Sequence, residues 1–132
     1  FNRSGGFPLS LTPVVNSLTT NVAISVTGTY ADGPSTTQGT VGTWYASGSV
    51  VVSGAAGDGI RVKLYDGTTT VDSGADEAGA TGIVCLHLSG IFTAPTGNIR
   101  IAATNISSAS GSILFNQSGN GKDATVSVIR IG

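Results

Sequence analysis

The sequence predicts an all-β fold, an antiparallel β-sandwich preceded by an extended arm. Three observations carry that expectation. Short runs alternate apolar and polar side chains, the period-two mark of half-buried strands, and no stretch repeats at helical spacing. Turn signals rich in glycine, asparagine and aspartate separate these runs at intervals typical of sandwiches and barrels. The 132 residues include 20 glycines and only 10% charged residues, yet 39% are hydrophobic and fall in orderly runs, unlike a disordered linker.

Residues 1–20 carry Gly5-Gly6, Pro8 and Pro13 among scattered Phe1, Phe7, Leu9, Leu11, Val14 and Val15. Proline excludes a helix or a central strand there. The segment therefore reads as an extended arm with apolar side chains to lay on another surface, and 21–132 as the sandwich domain. Val22, Ile24 and Val26 alternate with small polar residues as a first strand, and Asp32 to Gly42 reads as a long turn-rich loop. Trp44, Val50 and Val52 belong to the next strand, whose small residues Ala46 to Ser49 suggest a bulge.

Ile60, Val62 and Leu64 face one way and Arg61, Lys63 and Tyr65 the other, ahead of an Asp66-Gly67 hairpin turn. Thr68 to Val71 returns as its partner, and Asp72 to Gly82 reads as a loop. Val84, Leu86 and Leu88 oppose Ile83, Cys85 and His87, a strand expected to be buried on both faces. Ile91 to Gly97 is a strand end and turn. Asn98 to Thr104, Ile113 to Phe115 and Ala124 to Ile131 supply the remaining strands.

The residues offer little catalytic equipment. Cys85 and His87 share a strand face, but a structural zinc needs four ligands and the chain has one Cys and one His. They read as core or oligomer-interface residues, as do Trp44 and Tyr65. Asp72, Asp76 and Glu77 do not follow a calcium-loop spacing. No paired carboxylates, nucleophile or cofactor motif stands out, so neither an enzyme nor a cofactor or metal is expected. Three Asn-x-Ser triplets, beginning at Asn2, Asn105 and Asn116, read as ordinary turns. Trp44, Tyr45 and Tyr65 offer a sugar-stacking platform only if they share a face.

A net charge of −1 with no Lys/Arg cluster argues against a nucleic-acid or anionic-membrane partner. The longest apolar runs fall far short of the ~20 residues that cross a bilayer as a helix. A single cysteine allows no disulfide within the chain. A soluble monomer usually carries more charge on its surface, so this chain is expected to cover surface against copies of itself or a larger assembly.

From Thr43 to Gly132, the succession Trp44-Tyr45-Ala46-Ser47-Gly48-Ser49-Val50, Ile60 to Gly67, Leu86 to Gly90, Ala94 to Ala103 and Thr125 to Ile131 resembles small jelly-roll domains of tailed-bacteriophage structural proteins. These are similar in strand grammar to the trimeric tumour-necrosis-factor and complement-head superfamily. The resemblance implies a jelly-roll homotrimer in the virion. It would be a capsid decoration protein on the capsid surface, bound to the major capsid protein through the arm residues Phe1, Phe7, Leu9, Leu11, Val14 and Val15. The alternative role is the receptor- or glycan-binding head of a tail fibre or spike.

Overall fold

The computed structural model describes residues 12–132, and among them there is no helix. Ten strands form two antiparallel sheets packed face to face. They are β1 (Val14–Ser17), β2 (Val22–Ala23), β3 (Ala31–Ser35), β4 (Thr43–Ser53), β5 (Gly59–Tyr65), β6 (Thr70–Glu77), β7 (Ile83–Thr93), β8 (Arg100–Asn105), β9 (Ser112–Leu114) and β10 (Thr125–Arg130). The first sheet is organised on β4. One side of β4 pairs with β7 along its whole length, and the other is shared by β10, which continues to β1, and β9, which continues to β2. The second sheet runs β3-β8-β5-β6.

The alternation read from the sequence builds the core. Trp44, Ala46, Val50 and Val52 from β4, Val126 and Val128 from β10, and Val84, Leu88 and Phe92 from β7 point inward, against Ile60, Val62 and Leu64 of β5 and Ile101 and Ala103 of β8. Trp44 is a core residue, its indole N–H donating to Val41 O at 3.1 Å. The Asp66-Gly67 hairpin forms as expected, with Gly67 at φ +97°.

The small residues of β4 do not form a bulge. The strand runs in continuous register with β7 from Thr43 to Ser53, and Gly48 is small because the core is tight there. A Cβ at Gly48 would lie 2.4 Å from Thr125 O and 2.8 Å from Ile101 Cδ1. Gly48→Ala should therefore force strands β4 and β10 apart and cost about 1–3 kcal/mol, read as a lowered midpoint in denaturant.

Other expectations are corrected. The strand expected through Val26 stops at Ala23: Ile24 is buried, but the chain then turns through Gly28 (φ +75°) and leaves Val26 57% exposed. The Asp32 to Gly42 loop contains β3, whose Gly33-Pro34 mimics a turn. Proline is tolerated because β3 is an edge strand, and a Cβ at Gly33 would fall 2.9 Å from Ile101 O. The loop expected from Asp72 is strand β6 through Glu77, an edge strand too exposed to show alternation. Strand β7 is buried on one face only, since Cys85 and His87 are exposed.

The segment 1–20 contains the sheet strand β1, so pairing begins at Val14, which meets Val128. Val14 and Leu18 are partly buried and pack against the core.

Candidate functional site

The outer face of the first sheet is the most unusual surface of the molecule. In an antiparallel sheet, residues directly opposite one another share a face, so the register defines its rows. Tyr45 lies between Ile91 and Ile129; Ser47 between Ser89 and Ser127, with Val15 beyond; Ser49 between His87 and Thr125, with Ser17 beyond; and Val51 between Cys85 and Leu114. No Asp, Glu, Lys or Arg stands in these rows. Val15 is 57% exposed, Ile91 55% and Tyr45 42%, and Ile131 just past β10 is exposed too.

Local sequence explains this face. The contributing strands place most of their large apolar residues inward and mainly Ser, Thr and a few hydrophobes outward, with Cys85 and His87 on β7, so sheet propensity is kept without Asp, Glu, Lys or Arg. Ser17 and Thr125 hydrogen-bond to each other at 2.7 Å across β1 and β10, which satisfies two hydroxyls within the face. A flat surface with exposed aromatic and aliphatic residues and no charge resembles the centre of a protein interface more than a solvated wall.

The sites named from sequence separate on the fold. Trp44 lies inside, and Cys85 and His87 lie outside on the uncharged face, so neither of the latter is a core residue. Tyr65 is on the opposite sheet, half-buried. Trp44, Tyr45 and Tyr65 therefore occupy three different environments and form no common platform. Val15 is exposed on the uncharged face, whereas Phe1, Phe7, Leu9 and Leu11 lie outside the described residues. Among the described residues, no three His, Cys, Asp or Glu side chains gather to hold a metal. Asp72 accepts backbone N–H groups of Ser73 and Ser89, and Asp76 that of Glu77.

The outer face of the second sheet is built differently, from residues far apart in the sequence. Lys63 Nζ sits 4.4 Å from the ring centre of Tyr30 and 4.1 Å from that of Tyr65, and the Arg100 guanidinium carbon lies 5.0 Å from the Tyr65 ring centre. Asp32 accepts a hydrogen bond from the Tyr65 hydroxyl at 2.5 Å and lies 3.4 Å from Arg100 Nη1. Burial and this acceptor push the Tyr65 phenol up to about 12, so it stays a neutral donor. The available signal was the alternation that puts Lys63 and Tyr65 on one strand face; their partners are Arg100 from β8, Asp32 from β3 and Tyr30 just before it.

Concave sites are modest. A depression of about 160 Å³ lined by Asn21, Leu114, Phe115, Asn116 and Gln117 holds no titratable side chain. It is smaller than ordinary ligand pockets of roughly 300–1,000 Å³.

The fold is a jelly-roll β-sandwich. No family model matches the sequence, and no curated protein does either. Among solved structures the chain is similar to the Eiger TNF of S. frugiperda, at TM-score 0.60 and 8% identity over 92% of this chain and 93% of that one. It also matches a chain from Bacillus endospore appendages, which form disulfide-linked pili, at TM-score 0.49 and 14% identity over 100% of both. The PRD1 vertex protein matches at TM-score 0.49 and 11% identity over 99% of this chain and 86% of that one. At these identities the likeness concerns fold alone.

Proposed function

We propose that the chain is a virion structural protein, a homotrimer that decorates the outer capsid shell of a bacteriophage and stabilises it by binding the major capsid protein. The observation that carries the reading is the uncharged outer face of the first sheet, which favours cover by copies of the same chain. Threefold assembly is what the resemblance in strand grammar implies. The segment before β1, with Phe1, Phe7, Leu9 and Leu11, supplies apolar side chains for the shell, and many weak, repeated contacts would cement it.

The test uses particles. Because β1 belongs to the sheet, the informative deletion removes residues 1–11 and spares Val14 to Ser17. The shortened chain should remain a folded trimer and lose at least about tenfold in occupancy on shells, measured by label density on purified particles. Unchanged occupancy would refute the role of this segment. Label confined to a tail or vertex would instead indicate a receptor-binding head.

A further inference from the structure

The outer face of the second sheet concentrates charge in a chain that has little. Arg61 and Lys63 on β5 and Arg100 on β8 are three of the six Lys and Arg residues in the sequence. They project from the same face because Lys63 stands opposite Ala102, Arg61 opposite Thr104, and Tyr65 opposite Arg100. Two carboxylates stand on this face among the described residues: Asp32, 3.4 Å from Arg100 Nη1, and Glu77, opposite Gly59 at the far end of β5. Among the described residues, neither Arg61 nor Lys63 has a carboxylate within salt-bridge distance, and Arg100 keeps its Nε buried without a hydrogen-bond partner.

The cations are also held in place. Lys63 lies between two tyrosine rings and Arg100 on one of them, so these long side chains have already lost much of the rotamer freedom that binding would otherwise remove. The ring contacts neutralise no charge. Beneath them Ala102 and Thr104 are fully covered, at 0% and 1% exposure, which leaves no apolar anchor for a protein partner. The rings of Tyr30 and Tyr65 are engaged by cations rather than free to stack on a base. The face is an open sheet surface, suited to a chain-like ligand that lies along it.

We propose that this face, centred on Lys63, Arg61 and Arg100, binds an acidic polysaccharide through its carboxylate or sulfate groups. The inference goes beyond the decoration role and does not depend on it, since the face is complete within one chain and lies on the sheet opposite the self-association surface. In an oligomer, each copy would add a face, and avidity would multiply weak single contacts.

The experiment measures retention of the full-length chain, at low salt, by alginate as the carboxylate probe, heparin as the sulfate probe and dextran as the neutral control. Polyglutamate and single-stranded DNA are run beside them. Binding to alginate, heparin or both, with none to dextran, is expected, and it should fall steeply between about 50 and 500 mM NaCl as charges are screened. Comparing the two acidic sugars assigns the anion. Arg61→Gln with Lys63→Gln should weaken retention by roughly tenfold or more, Lys63→Arg should preserve it, and Asp32→Asn should strengthen it several-fold by removing the carboxylate that pairs with Arg100. Thermal unfolding of each variant reports whether the fold is intact. Absence of binding to both acidic sugars, equal binding by the double variant, or retention by polyglutamate or DNA alone would overturn the proposal.

Discussion

If the chain assembles as proposed, one carrying Tyr45→Lys and Ile91→Lys is expected to sediment as a monomer at concentrations where the unaltered chain sediments as a trimer. The two positions are direct neighbours on β4 and β7, in the most apolar row of the uncharged face. An ammonium group buried there without a partner costs several kcal/mol, enough to raise the dissociation constant by roughly a thousandfold or more. Both side chains are exposed in the single chain, so the monomer should unfold within about 0.5 kcal/mol of the parent's intrinsic stability. Sedimentation velocity and native mass together check the outcome. A parent chain that is itself monomeric, or a variant that stays trimeric, would remove the uncharged face from the proposed function.

Loss of the Asp66 carboxylate should give the largest change in stability. Asp66 is 4% exposed at the β5–β6 turn. Its Oδ1 accepts the N–H groups of Thr68 at 3.0 Å and Thr69 at 2.7 Å, and its Oδ2 accepts that of Thr96 at 2.9 Å. One side chain thus ties a hairpin turn to the connection between β7 and β8. Asp66→Ala leaves three N–H groups without their acceptor and should cost about 2–4 kcal/mol, read as a lowered unfolding midpoint.

The same residue gives a pH signature. Burial pushes the Asp66 carboxyl up, but the N–H groups of Thr69, Thr96 and Thr68 outweigh it and hold the carboxyl below its ordinary value. A folded value below the unfolded one means that the stabilisation is complete above the unfolded carboxylate range near pH 4 and is lost as pH falls through the folded value. The gap in midpoint between the parent and Asp66→Ala should therefore be widest near neutrality and narrow in acid. Asp58, held low chiefly by Asn105 Nδ2, with Ser108 and the Ala55 N–H also contributing, adds to the acid sensitivity of the parent. A gap that does not change with pH would show that the carboxylate charge contributes nothing.

Strands with an inward apolar row were legible in the sequence. β5, β8 and β10 follow their alternation, and the Asp66-Gly67 turn lies where its residue types put it. Edge strands were not. β3 and β6 are short of inward side chains, so Gly33-Pro34 and the run Asp72 to Glu77 carry turn-like composition although their backbones pair. The N-terminal boundary was hidden for a related reason: Pro13 reads as a stop, yet a proline just before β1 removes no hydrogen bond that the sheet needs.

The candidate surfaces were legible only in fragments. Low charge raises the expectation of covered surface, but only the register shows that Tyr45, Ile91 and Ile129 stand together while Trp44 turns inward. Cys85 and His87 read as core or interface residues alike, because a single strand cannot report which of its two sides meets the other sheet. The cation cluster required long-range pairing as well, since Asp32 and Arg100 are brought to Lys63 by β3 and β8 lying beside β5.

Asp72 has a consequence for how copies of this chain can meet. β6 ends the second sheet and β7 borders the first, and each has backbone groups on its free side that could recruit a foreign strand. The two borders instead lean on each other: Gly90 passes under Val71, where a Cβ would come within 2.6 Å of Cγ2, and Asp72 Oδ2 takes the Ser89 N–H at 2.9 Å. A carboxylate placed across that border repels an incoming acceptor and occupies a donor it would use. Lateral stacking into fibres has no natural end, whereas contacts with closed point symmetry stop at a fixed number of copies. Asp72 acts in this sense as an insulator, biasing a strand-rich, weakly charged chain towards assemblies that stop growing.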